Sequence, residues 1–179
     1  NLWWGFISEY HNKYQTGGLQ HLLASQVRSE VGLDVFNSFY KFTIVRNPWD
    51  RTVSQFAYMQ TRPDLMDFIG MQPETEFKTY LGVMKKKQNE QWMAQTDFIL
   101  DQDGALLVDK IGRLESIEKD SSEIFDIIGA CGKRSKIFHA NRSQRKSINH
   151  YYDQESIEIV SEIYSRDIDY LKYSFDSTS

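Results

Sequence analysis

Phe42-Thr-Ile-Val45 runs without a break into Arg46-Asn47-Pro48-Trp49, and no other stretch of the chain restricts its fold as much. A short apolar, β-branched run predicts a strand in a sheet covered on both faces. Asn47 is suited to N-cap a helix and Pro48 to its first position, where a missing N–H leaves nothing unsatisfied. Trp49, Val53 and Phe56 recur at helical spacing, which predicts one face packed on the sheet and leaves Arg51, Ser54 and Tyr58 on another. A strand that ends where a helix starts places Arg46 at the carboxyl edge of the sheet, where open α/β sheets bind ligands, with Ser54 about two turns into the helix. A permanently charged fork and a hydroxyl converging there suit a phosphate.

The remaining pattern alternates. Leu22 to Val31 predicts a helix with Leu23, Val27 and Val31 on one face and Gly32 as its stop. Arg62-Pro63 and Gln72-Pro73 bracket a turn-rich region, and Glu74 to Lys87 reads as helical. Phe98-Ile-Leu100 and Ala105-Leu-Leu-Val108 flank the tight-turn signal Asp101-Gln-Asp-Gly104, which predicts a hairpin-like excursion. Ile111 to Glu115 ends a strand, Ser121 to Ile128 is an amphipathic helix stopped by Gly129, and Lys136-Ile-Phe138 reads as a last short strand. Asp153 suits the N-cap of a final helix buried through Ile157, Val160, Ile163 and Tyr164. Strands alternating with helices argue an α/β domain with a largely parallel sheet, and 179 residues fit one domain over 1–179.

A net charge of −4 excludes nucleic-acid binding through bulk charge. One cysteine, Cys131, excludes an intrachain disulfide and a cysteine-based zinc site. No run reaches the length of a membrane helix and no secretory signal opens the chain, which fits a soluble domain, cytoplasmic if the chain is bacterial. The charge is unevenly placed: between Asp126 and Asp153 there is no acidic residue, while Lys133, Arg134, Lys136, Arg142, Arg145 and Lys146 gather with His139 and His150. Such segregation in an acidic protein suggests an anionic ligand, the bland alternative being a solvated loop. Lys85-Lys-Lys87 reads as a solvated helix end.

Val45-Arg46-Asn47-Pro48-Trp49-Asp50-Arg51-Thr52-Val53-Ser54 resembles the 3′-phosphate-binding motif of the carbohydrate-type, or family 2, sulfotransferases that use 3′-phosphoadenosine 5′-phosphosulfate. Gln95 to Leu100 followed by Val108 to Glu115 is similar to that family's second core strand with its Gly-Arg-x-Glu signature, and Tyr151 to Tyr173 to its closing helix. The resemblance implies a P-loop-kinase-like sulfotransferase fold, a central, mostly parallel sheet flanked by helices. It implies the phosphosulfate nucleotide as co-substrate without a metal, and a hydroxyl-bearing acceptor, a carbohydrate in this branch. It assigns Arg46 and Ser54 to the 3′-phosphate and includes Arg51 in the pattern, whose other reading is an ion pair with Asp50 or Asp67. Arg145 and Lys146 fall where the family's last loop returns over the nucleotide, Arg113 and Glu115 where the adenine is approached or an ion pair is made. On charge alone, Lys133 to Lys136 are candidate contacts for a sulfated or carboxylated acceptor.

The family also carries an early strand and a loop like Pro-Lys-Thr-Gly-x-Thr-Ser around the 5′-phosphosulfate. Thr16-Gly17-Gly18 is the only remnant of it in this sequence, without the lysine or the apolar strand before it, so the expectation is an N-terminally incomplete fold. Sulfuryl transfer to a hydroxyl needs a base, and carbohydrate sulfotransferases carry a histidine before the Arg-bearing strand; His21 has that placement, and its alternative is a cap or surface residue. His11 stands second. Gln91 and Trp92 line the acceptor cleft or, more often for a Trp, the core. The competing functions are a non-catalytic nucleotide- or sulfated-glycan-binding domain on the same fold, and a scaffold in which Arg46 is structural.

Overall fold

The computed structural model describes residues 21–87, 90–130 and 145–175. Thr16 to Gly18, His11, Lys133 to Arg142 and the strand expected at 136–138 lie outside them. Among the described residues, nine α-helices surround one two-stranded parallel sheet, with β1 (Phe42–Val45) paired to β2 (Lys110–Arg113) in the register Phe42 to Lys110 and Val45 to Arg113. The parallel pairing and helical crossover agree with an α/β arrangement; the sheet is smaller than the sequence predicts.

β1 ends as expected. Asn47 caps α3 (Pro48–Gln60), its Oδ1 accepting from the Trp49 N–H at 3.1 Å, with Pro48 in the first turn. Only the carboxyl end of β1 is covered, Val45 being buried and Phe42 49% exposed, so the strand is not sandwiched along its length. The apolar face of α3 also turns elsewhere than predicted: Trp49, Val53, Phe56 and Met59 join a core built with Tyr80, Leu81, Trp92, Val160 and Tyr164, against α4 (Pro63–Ile69), α5 (Phe77–Lys86) and α8 (Gln154–Ile163). The two strands among the described residues offer too little area for that stripe, and helices supply the rest. Trp92 belongs to this core, its Nε1–H donating to the Tyr80 hydroxyl at 2.7 Å.

Several elements differ from their prediction. The first helix, α1 (Ala24–Val31), stops at Gly32, whose φ of 82° suits glycine, and the chain restarts at once as α2 (Leu33–Ser38). Pro63, read as a turn residue, opens α4 from its first turn. Gln95 to Ile99 forms α6 rather than a hairpin strand, and a single antiparallel bridge, Leu100 to Leu106, spans the turn. That turn is held by Asp101, whose Oδ1 accepts from the Asp103 and Ala105 N–H groups. After β2, α7 (Ile117–Ile127) packs back on the strand. The closing segment breaks at Tyr164 into α8 and α9 (Ser165–Leu171). Among the described residues no helix is long and apolar enough to cross a membrane.

Asp153 caps α8 in a reciprocal box: its carboxylate accepts from the Ser156 N–H at 2.8 Å while the Asp153 N–H donates to Ser156 Oγ at 2.7 Å. The Ser156 hydroxyl, which also donates to this carboxylate at 2.6 Å, and the Ser156 N–H hold the carboxyl down at about 2. A depressed carboxyl contributes stability above its unfolded pKa, about 3.9, and loses it as pH falls through the folded value. Asp153→Asn keeps a capping oxygen but does not titrate. Its urea midpoint is therefore expected to fall less steeply than the wild type's from about pH 4 to about pH 2; identical slopes would exclude this contribution.

Candidate anion site at the end of the first strand

The parallel register brings the ends of β1 and β2 together, and the residues beyond them frame the first turn of α3. The N–H of Asn47 donates to Glu115 Oε1 at 2.5 Å, and the other oxygen of Glu115 accepts from the Tyr173 hydroxyl at 3.1 Å. Arg113 donates from Nη2 to the carbonyl of Leu171 at 2.5 Å and stacks over the Tyr173 ring at 4.4 Å. Arg113 and Glu115 thus meet at Tyr173 rather than pairing with each other, and both fasten the closing segment to the strand ends. Gly112 has its own reason: a Cβ there would stand 2.7 Å from Ile44 Cδ1 and 3.1 Å from Asp120 Cβ. Asp120 is fixed against that spot. The Arg113 N–H and the Ser116 hydroxyl donate to it and hold its carboxyl below the usual carboxylate range.

Arg46 stands within this frame. Its Nε donates to Asp50 Oδ2 at 2.5 Å, one helical turn ahead, while Arg145 forms an ion pair with Asp50 Oδ1. One mostly buried carboxylate is therefore shared by two guanidinium groups whose side chains are 23% and 19% exposed, leaving a net positive charge with access to solvent. The terminal nitrogens of Arg46 make no hydrogen bond among the described residues, and neither does the hydroxyl of Ser54, half-buried one turn beyond Asp50. Tyr152 closes the floor: its hydroxyl donates to the Trp49 carbonyl at 2.9 Å, and burial raises its pKa well above the usual phenol value, so it remains a donor.

The other predicted site residues are placed differently. Arg51 pairs with neither Asp50 nor Asp67. It donates to the carbonyls of Met93 at 2.9 Å and Gln91 at 3.2 Å and lies over the ring of Tyr164, whose hydroxyl burial pushes up to about 12. Lys146 is exposed, with Nζ 2.9 Å from His150 Nε2. His21 is half-buried just ahead of α1. Gln91 accepts at Oε1 from Gln55 Nε2 at 2.6 Å. Sequence reasoning saw Asp50 only as a partner for Arg51 and missed its bond with Arg46, although acid and base four residues apart were in view. Gln95, which brackets the Arg46 peptide, carried no such signal.

A parallel strand pair whose first strand ends in a guanidinium beside the first turn of a helix, with a second arginine on the same carboxylate, is an α/β arrangement suited to an anion. The model of the sulfotransferase family, in its family 2 branch, matches residues 6–174, and the chain belongs to that family. No curated protein and no solved structure gives a significant match. Family membership places the chain among transferases, a family whose reaction is sulfuryl transfer from a sulfate donor to a hydroxyl-bearing acceptor.

Proposed function

We propose that the donor is 3′-phosphoadenosine 5′-phosphosulfate, bound on a P-loop-kinase-like sulfotransferase fold, and that the acceptor is a carbohydrate hydroxyl. The observation that carries the donor is the state of Arg46: Nε is anchored on Asp50 while both terminal nitrogens are unengaged among the described residues. A guanidinium held from behind and open in front is organised for two parallel bonds to a phosphate. Ser54 adds a hydroxyl on the same side of α3, and Arg145 brings a second positive charge from the segment before α8. Lys146, next in the chain to Arg145, is exposed and available to a bound nucleotide, and Arg51 and Arg113 hold the surrounding segments through the carbonyls they cap.

In the transfer, the acceptor oxygen forms a bond to sulfur as the bond from sulfur to the bridging phosphate oxygen breaks. The nucleotide leaves as 3′-phosphoadenosine 5′-phosphate, and the hydroxyl proton goes to His21. Charge spreads over the sulfuryl oxygens, so positioning and electrostatics do most of the work, as in phosphoryl transfer.

Calorimetry with two nucleotides tests the donor. Wild-type protein is expected to bind 3′-phosphoadenosine 5′-phosphate about tenfold or more tightly than adenosine 5′-phosphate, which lacks the 3′ group. Equal affinities would remove the assignment of Arg46 and Ser54 to a 3′-phosphate and leave Arg46 structural.

A further inference from the structure

Consecutive residues of an extended chain turn their peptide groups to opposite edges. At the end of β1 the edge toward β2 is served by Glu115, which takes the Asn47 N–H. The N–H and C=O of Arg46 face the other edge, where no strand lies among the described residues. Gln95, the first residue of α6, fills that place with its side chain: Oε1 accepts from the Arg46 N–H at 2.8 Å and Nε2 donates to the Arg46 carbonyl at 2.8 Å. One carboxamide thus makes the two bonds of a missing ladder rung.

The carboxamide is itself held. Asp167, fully buried in the first turn of α9, accepts at Oδ2 from the Gln95 N–H at 2.8 Å and from Gln95 Nε2 at 3.4 Å. Its Oδ1 accepts from the N–H and hydroxyl of buried Thr96 at 2.8 and 2.7 Å. Ala94, at the N-cap position of α6, offers no side-chain bond, so Asp167 supplies the cap from a distant helix. Both hydrogens of Gln95 Nε2 have acceptors, and an amide turned end for end would face a donor with a donor at Arg46 and an acceptor with an acceptor at Asp167. The orientation is fixed by its neighbours.

We propose that Gln95, oriented by Asp167, is a positioning residue for the phosphate-binding arginine: it locks the peptide unit from which the Arg46 side chain departs and so sets where the guanidinium fork points. This rests on the reading that Arg46 holds the nucleotide 3′-phosphate. The Gln95 carboxamide bonds the Arg46 backbone and the Asp167 carboxylate, so its effect passes through Arg46.

Binding of 3′-phosphoadenosine 5′-phosphate and of adenosine 5′-phosphate to the wild type, Gln95→Met, Arg46→Ala and the double variant tests it. Gln95→Met keeps the side-chain length without the amide. It is expected to weaken the 3′-phosphorylated nucleotide about tenfold and the other less than about twofold, and to add less than about twofold in the Arg46→Ala background. Loss of both nucleotides alike, or the same loss with Arg46 already removed, makes Gln95 merely structural. Asp167→Asn, which keeps the volume, gives an independent measure: a lowered preference for the 3′-phosphorylated nucleotide supports the relay, and an unchanged preference in both single variants overturns it. A wild type that does not prefer the 3′-phosphorylated nucleotide removes the underlying reading as well, whereas a preference insensitive to Gln95 and Asp167 removes this inference alone.

Discussion

Arg46→Ala is expected to weaken 3′-phosphoadenosine 5′-phosphate by about tenfold to a hundredfold and to leave adenosine 5′-phosphate nearly unchanged. A charge-assisted hydrogen bond contributes on the order of 1.5 to 3 kcal/mol, which sets that range. The fold should tolerate the change, because Asp50 keeps its ion pair with Arg145 and is not left as an isolated buried charge. The Arg46 backbone bonds to Gln95 do not depend on its side chain. Ser54→Ala removes a neutral hydroxyl and should weaken the same nucleotide less. Calorimetry on the two variants separates a ligand contact from a scaffold role: if Arg46→Ala weakens both nucleotides equally, the guanidinium shapes the site without touching the 3′ group.

What the sequence made legible is the part encoded within one helical turn. Val45 to Ser54 carries its own strand, cap, proline and helix face, so the β1 to α3 junction followed from local chemistry, and the Asp153 cap of α8 did too. The misreadings share a cause in distant contacts. Phe98-Ile-Leu100 is an apolar run too short to distinguish strand from helix by period. It lies at the end of α6, a helix capped at its start by Asp167, about seventy residues away along the chain. The turn of the α3 apolar face toward α5 and α8 likewise depends on Tyr80, Trp92 and Val160, which no local pattern ties to Val53 and Phe56. Within the site, Arg46 was visible from its motif. The groups that fix it, Asp50 through one turn and Gln95 through a separate helix, divide along the same line: the first was within reach of helical spacing and the second was not.

His21→Ala should lower the turnover number for sulfuryl transfer by roughly a hundredfold to ten-thousandfold while changing nucleotide affinity less than about twofold. The acceptor hydroxyl must lose its proton as its oxygen bonds to sulfur, and a positioned imidazole is the usual base near neutral pH. His21 stands just ahead of α1, and α1 packs on α6, the helix whose Gln95 brackets Arg46. Arg28 of α1 reinforces that packing through an ion pair with Asp101, just beyond α6, at 3.6 Å. The segment is thereby attached to the element that brackets the Arg46 peptide, while among the described residues His21 makes no hydrogen bond or ion pair with Arg46 or Ser54 that would couple it to nucleotide affinity. A loss confined to turnover is therefore the signature of a base, and an equal loss of nucleotide affinity instead assigns the imidazole to binding. Unchanged turnover moves the base to another residue. A wild type that prefers the 3′-phosphorylated nucleotide yet transfers no sulfuryl group to any hydroxyl acceptor would favour a binding domain that kept the donor site without the chemistry.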